Sequence, residues 1–326
     1  MRVGLVITAL SLIVSVIIGC NGGTTPSPEG EWFYITTADG LASNKVYGIW
    51  VGPNAVYYAT EKGLSVNAGD GTWTTYGASS GLPADACYAV TDENLKYTWV
   101  GTPAGAARIT RGGAVTVYDI GDGLPAASVN CVAWDGLHIW LGTNAGLARF
   151  DDPGFTVFTT ADGLPADEVR DIYPVDAGDI WVGTTGGGAR YETGDFTVYN
   201  SATVGLGNDT VNAVAFKDGA AWFGTENGLF RYKSSALTAF YAADSGLAAN
   251  AVNDITYSAW GELWVATVNG VSRFTGSDFE TFRAPDGPQD NYVMCAAGDY
   301  SAGPVYDYVW FGTLQAGVAR YGMPGQ

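Results

Sequence analysis

The sequence predicts an all-β chain folded as a seven-bladed β-propeller with four-stranded blades, and three observations carry that expectation. One pattern, Trp-x-Gly-Thr-x-x-Gly-x-x-Arg-aromatic, returns at nearly constant spacing along the chain. Each period holds about four short runs rich in Val, Ile, Thr, Tyr, Phe and Trp, bounded by Gly, Asp, Asn and Pro clusters. No window shows a sustained helical period.

The pattern reads WVGTPAGAARI from Trp99, WLGTNAGLARF from Trp140, WVGTTGGGARY from Trp181, WFGTENGLFRY from Trp222, WVATVNGVSRF from Trp264 and WFGTLQAGVARY from Trp310. A degenerate first copy, YYATEKGLSVN, starts at Tyr57, and the seven anchors lie 41 to 46 residues apart. Four strands in a period of that length are the signature of propeller blades. Between anchors a Gly-Leu turn recurs at Gly40, Gly81, Gly123, Gly163, Gly205 and Gly246, with Gly287-Pro288 as the seventh. The last copy offers strands near 292–297, 308–313 and 318–321, which leaves it one short. A solitary run, WFYIT at 32–36, precedes the first Gly-Leu and is expected to complete the last blade, so that no sheet edge stays open.

Composition agrees with a large packed core: 47% of the 326 residues are hydrophobic, 13% aromatic and only 15% charged. Disorder, collagen and coiled coil are excluded by these figures. A net charge of −18 opposes phosphate neutralisation, which excludes general nucleic-acid binding. The same charge repels anionic headgroups, so membrane attachment has to come from the N-terminus.

There an apolar run from Val3 to Ile18 is too short to span a bilayer, for which roughly 20 residues are needed, and fits a secretory leader over 1–19. The run ends in Val16-Ile17-Ile18-Gly19-Cys20, which resembles the lipobox of bacterial lipoproteins. That resemblance implies acylation of Cys20, with residues 20–30 as a Gly-, Thr-, Ser- and Pro-rich tether and 31–326 as the propeller, facing the periplasm or the exterior. Cys87, Cys131 and Cys295 each sit in an apolar run and are expected to be buried free thiols.

The recurrent residues have structural explanations. Each anchor Trp is expected to fill the wedge between blades, and the Gly after next to admit a close backbone approach. Arg108, Arg149, Arg190, Arg231, Arg273 and Arg320 occupy one equivalent position beside an aromatic residue, where stacking and carboxylate pairing account for them better than a binding surface. His138 is the one histidine of the chain and reads as a turn residue, which leaves a Ser-His-Asp triad or a multi-His metal site without its parts. Asp119-Ile-Gly-Asp122 and Asp176-Ala-Gly-Asp179 lack the alternating ligands of a calcium loop and read as Asp-Gly turns. No catalytic residue, metal ligand or cofactor is assigned.

What varies over a repeating frame is where a site is expected. Seven residues after each turn glycine, early in the innermost strand, stand Tyr47, Tyr88, Asn130, Arg170, Asn212, Asn253 and Met294. This mixture of aromatic, amide and guanidinium groups around a channel mouth suits a sugar or another small polar molecule, and equally a ring of groups facing channel water. The variable loop residues Glu61, Lys62, Asn144, Glu226, Asn227, Asn269 and Gln315 are expected on the same face.

The repeated Trp-x-Gly-Thr-x-x-Gly-x-x-Arg element with its Asp-Gly-Leu-Pro turns is similar to the two-component regulator propeller repeats. These occur in periplasmic sensor regions of bacterial hybrid histidine kinases and in stand-alone exported proteins. The resemblance implies a seven-bladed propeller that senses extracellular ligands such as oligosaccharides. One propeller without a signalling domain departs from the kinase pattern. The leading expectation is therefore a non-catalytic, lipid-anchored, monomeric propeller that binds a small polar ligand or a partner protein. An envelope assembly scaffold and a lyase or hydrolase using channel-mouth carboxylates are the alternatives.

Overall fold

A computed structural model describes residues 30–299 and 306–324. Strand β1 (Glu31–Ile35) comes first. Blade 1 is β2 (Val46–Val51), β3 (Ala55–Thr60), β4 (Gly63–Ala68) and β5 (Trp73–Tyr76). Blade 2 is β6 (Ala89–Glu93), β7 (Tyr97–Thr102), β8 (Gly105–Thr110) and β9 (Val115–Tyr118), and blade 3 is β10 (Val129–Trp134), β11 (Ile139–Thr143), β12 (Gly146–Phe150) and β13 (Phe155–Phe158). Blade 4 follows as β14 (Val169–Asp176), β15 (Asp179–Thr184), β16 (Gly187–Glu192) and β17 (Asp195–Tyr199), and blade 5 as β18 (Val211–Lys217), β19 (Ala220–Thr225), β20 (Gly228–Lys233) and β21 (Ala236–Phe240). Blade 6 is β22 (Val252–Tyr257), β23 (Leu263–Thr267), β24 (Gly270–Phe274) and β25 (Phe279–Phe282), and blade 7 has β26 (Val293–Gly298), β27 (Tyr306–Thr313) and β28 (Val318–Pro324).

Each blade is a four-stranded antiparallel sheet in sequence order, and the seventh is completed by β1, which pairs with β28 from Glu31↔Gly322 to Ile35↔Val318. The chain thus closes its own ring. The first strands of successive blades touch one another in ring order, β2 to β26 and back, and so line the axis. The expected leader over 1–19, the expected acylation site at Cys20 and the expected tether up to residue 29 lie outside the described residues. Among the described residues, no helix is long and apolar enough to cross a membrane.

The repeat residues hold this frame in physically distinct ways. Trp99 stacks on Tyr118 of its own outer strand at 5.2 Å and meets Phe150 of the next blade at 4.9 Å, and Trp140, Trp222 and Trp264 do the same with their counterparts. The arginines lie over these rings, as with Arg149 at 5.7 Å from Trp140 and Arg231 at 5.5 Å from Trp222. Arg149, Arg190 and Arg273 also pair with Asp151, Asp179 and Glu280. The structural reading of the arginines holds.

The glycine two residues past the anchor admits the neighbouring blade: a Cβ on Gly101 would stand 2.8 Å from the Val129 carbonyl oxygen, and one on Gly183 3.0 Å from that of Val211. The threonine beside it closes the next hairpin. At all seven copies its hydroxyl donates to the glycine carbonyl three or four residues on, from Thr60 to Gly63 at 2.7 Å through Thr313 to Gly317 at 2.8 Å. In the Gly-Leu turns, Gly123 takes a φ of +109° that suits glycine, and Leu124 after it is buried. Asp119 and Asp122 accept amide bonds within that same turn, as a turn reading requires. Cys87, Cys131 and Cys295 are buried and unpaired with one another, and burial raises each thiol well above the ordinary cysteine range.

Candidate functional site

The seven positions singled out from the repeat converge. Tyr47, Tyr88, Asn130, Arg170, Asn212, Asn253 and Met294 all line one cavity of about 220 Å³ at the end of the axis. Backbone geometry explains why. Six of the seven sit at a register shift between the first and second strands, for example Asn130 between the pairs Val129↔Thr143 and Cys131↔Gly142. A bulge adds one unpaired residue and re-aims its side chain. In blade 2 the equivalent Tyr88 lies just before β6, and its amide donates to the Gly101 carbonyl at 2.8 Å.

The ring is chemically uneven. Tyr47 and Tyr88 meet edge to face at 5.3 Å, with the Lys45 ammonium 5.1 Å from the Tyr47 ring. Across the mouth Arg170 donates to Asn212 Oδ1 at 2.7 Å and pairs with Glu168 and Glu226. The amides are less available than the sequence suggests. Asn130, Asn212 and Asn253 each donate through Nδ2 to the first-strand carbonyl of the following blade, Val169, Val252 and Val293, at 3.0, 2.9 and 2.7 Å. These asparagines clasp neighbouring blades as well as facing the cavity, and only a carbonyl on another blade reveals it. Of the loop residues expected on this face, Asn144 accepts from Asn130 at 2.8 Å and Glu226 from Arg170 at 3.3 Å.

Two groups on the cavity wall escaped the sequence reading. Asp171 and Asp254 stand one residue after Arg170 and Asn253, where the other blades have Gly48, Ala89, Cys131, Ala213 and Cys295. Asp171 Oδ2 accepts the Val214 amide of blade 5 at 2.8 Å, and Asp254 Oδ2 accepts the Ala296 amide of blade 7 at 2.7 Å. Burial pushes Asp171 up to about 6, and burial together with the charge of Asp171 pushes Asp254 up to about 8. The available signal was an acidic residue, in VRDIY and VNDITY, where the innermost strands of the other blades hold a small or apolar one.

His138 lies away from this mouth, in the hairpin at the far end of β10, where its amide donates to Asp135 Oδ1 at 2.6 Å. Asp135 also accepts from Trp140 Nε1 at 2.7 Å and from the Gly178 amide of blade 4 at 2.9 Å. This is a turn-fixing cluster.

Among known proteins, the family described as two component regulator propeller matches residues 163–186, the turn and anchor strands of blade 4. No match was found among curated proteins. Among solved structures, the chain is similar to the extracellular domain assigned to the hybrid two component system BT3049 of B. thetaiotaomicron, with a TM-score of 0.73 at 19% identity over 90% of this chain and 42% of that one. The chain therefore spans less than half of that domain. Virginiamycin B lyase from Staphylococcus aureus matches at 0.68 and 18% identity, covering 90% of this chain and 99% of the lyase. PorZ of Porphyromonas gingivalis, a surface component of the type-IX secretion system, matches at 0.63 and 13% identity over 90% of this chain and 39% of its own. Identities this low show a shared fold. Residues 163–186 are thus similar to the two component regulator propeller repeat, and the fold shared with these structures is a propeller, here of seven blades.

Proposed function

We propose that the protein is a non-catalytic, extracytoplasmic propeller, held to the membrane by an acylated Cys20, that binds a small polar ligand at its channel mouth. The observation that carries this reading is the convergence of seven equivalent positions, six of them at bulges and all left variable by the repeat, on one cavity. Its wall offers aromatic edges on one side and a guanidinium with amides on the other, a mixture suited to a neutral polar molecule such as a glycan. The envelope location is supported by the leader and by the extracellular and surface domains that share the fold. A lyase alternative would have to work with carboxylates such as Asp171 and Asp254, which line the cavity, since the single histidine is elsewhere.

The test is a glycan and metabolite screen by thermal shift on the full chain. A true ligand raises the midpoint further as its concentration grows, as mass action requires. Tyr47→Ala and Tyr88→Ala should weaken that response at least tenfold while leaving the unliganded midpoint nearly in place. A ligand whose affinity ignores both tyrosines and Arg170 refutes the central site. Turnover that vanishes with Asp254→Asn would establish the lyase alternative instead.

A further inference from the structure

The seam between blades 1 and 2 departs from the chain's own rule at three places at once. At the seams after blades 2, 3, 5 and 6 the anchor Trp is sandwiched between an aromatic of its own outer strand and the aromatic that follows the arginine of the next blade, with its own blade's arginine laid over the stack. In blade 1 Tyr57 stands in the anchor register opposite Val66, just as Trp99 stands opposite Arg108. The next blade presents Ile109 where blade 3 presents Phe150. Trp has become Tyr, Arg has become Val, and the facing aromatic has become Ile. Tyr76 keeps the outer-strand place that Tyr118 holds one blade on, but Tyr57 turns its ring to Trp50 at 5.3 Å.

What is left is a cavity of about 230 Å³ between the two blades, walled by Tyr57, Val66, Tyr76 and Ile109, with Thr98 and Arg111 at its polar side. Arg111 is fixed there: Nη1 donates to the Tyr57 hydroxyl and Nε to the Leu95 carbonyl, both at 2.7 Å, and Nη2 pairs with the buried Asp92. Its charge is thereby neutralised. A void of roughly 150 Å³ lined by aliphatic and aromatic groups already takes up a benzene ring, and aromatic walls favour a ring over an aliphatic chain.

We propose that this seam is a binding site for a planar aromatic molecule of indole or phenol size, whose ring fills the space that Trp99 and its facing Phe150 occupy at the seam between blades 2 and 3. The site is separate from the channel mouth and stands or falls without it. Indole itself is the probe, added to the full chain and followed by thermal unfolding and by calorimetry. A saturable rise in melting temperature is expected, and it should disappear in Ile109→Phe and in Tyr57→Trp, each of which returns ring volume to the seam and raises the unliganded midpoint. Ile109→Phe leaves the bond between Tyr57 and Arg111 intact, so loss of the response in that variant reports the cavity and not the bond. Either filled variant that folds suffices. No saturable response at millimolar indole, or a response that survives the filling substitutions, overturns the proposal.

Discussion

The seam between blades 2 and 3 and the seam between blades 1 and 2 share one backbone arrangement and differ in what fills it. At the first, Trp99 is fully buried between Tyr118 and Phe150 under the guanidinium of Arg108. At the second, Tyr57, Val66 and Ile109 leave a cavity open. The strand pairing is the same in both, so backbone hydrogen bonds and hairpin threonines build a blade, and the Trp stack joins one blade to the next. A copy of the repeat can lose the stack and keep the blade.

The largest effect that sharpens this contrast is in the filled seam. Trp99→Ala should cost about 3–5 kcal/mol, because it removes a large buried ring and leaves a void that rigid neighbours cannot close. Tyr57→Ala should cost less, about 2 kcal/mol, since its surroundings are already loosely packed. Chemical denaturation of both variants checks this, and equal losses would mean that the two seams are packed alike. A reciprocal exchange is the next test. Phe150→Ile, which imports the blade 1–2 arrangement into the next seam, should lose about 1–2 kcal/mol, whereas Ile109→Phe should gain on the order of 1 kcal/mol by filling a void. A loss in both directions would show that the cavity wall is shaped around something other than a ring.

These contrasts also explain what the sequence made legible. Blade number, strand order and closure by β1 follow from a repeat written seven times, because packing at each seam imposes nearly the same residues at the same spacing. The degenerate copy at Tyr57 was visible too. Its consequence was not, because Ile109 belongs to another repeat and matters only through contact across the seam. The channel-mouth ring was legible as a set of equivalent positions, yet the asparagine clasps were hidden, since their partners are main-chain carbonyls that no residue type announces. Asp171 and Asp254 were hidden for a different reason. A single acidic residue in an innermost strand resembles noise until its amide partners on the next blade are known.

The clasps provide a smaller test at other seams. Asn253→Ala removes the bond to the Val293 carbonyl between blades 6 and 7 and should cost about 1 kcal/mol, the usual net value of such a bond. The same substitution at Tyr88, which makes no such clasp among the described contacts, should be close to neutral. If Asn253→Ala is also neutral, the asparagines are channel-facing groups first and clasps only incidentally.

A last contrast compares seams by pH. The seams after blades 4 and 6 are bridged by Asp171 and Asp254, whereas the corresponding places in blades 3 and 5 hold Cys131 and Ala213. Both carboxyls are raised in the folded protein, Asp171 to about 6 and Asp254 to about 8, chiefly by burial. In the unfolded chain each would titrate near 3.9. The folded state therefore retains protons that the unfolded state releases, and linkage makes stability fall as pH rises between those limits. Their contribution is complete below about pH 4 and is lost as pH climbs through about 8. Other carboxylates also titrate over part of this range, so the informative quantity is a difference between two proteins. Asp254→Asn cannot ionise, and it gives up one accepted amide bond, so its melting temperature should lie below that of the parent at pH 5. Between pH 6 and 9 its profile should be flatter, bringing the two proteins together or reversing their order. Parallel profiles would mean that Asp254 is ionised throughout, with the cavity floor carrying a permanent negative charge instead of a proton held in reserve.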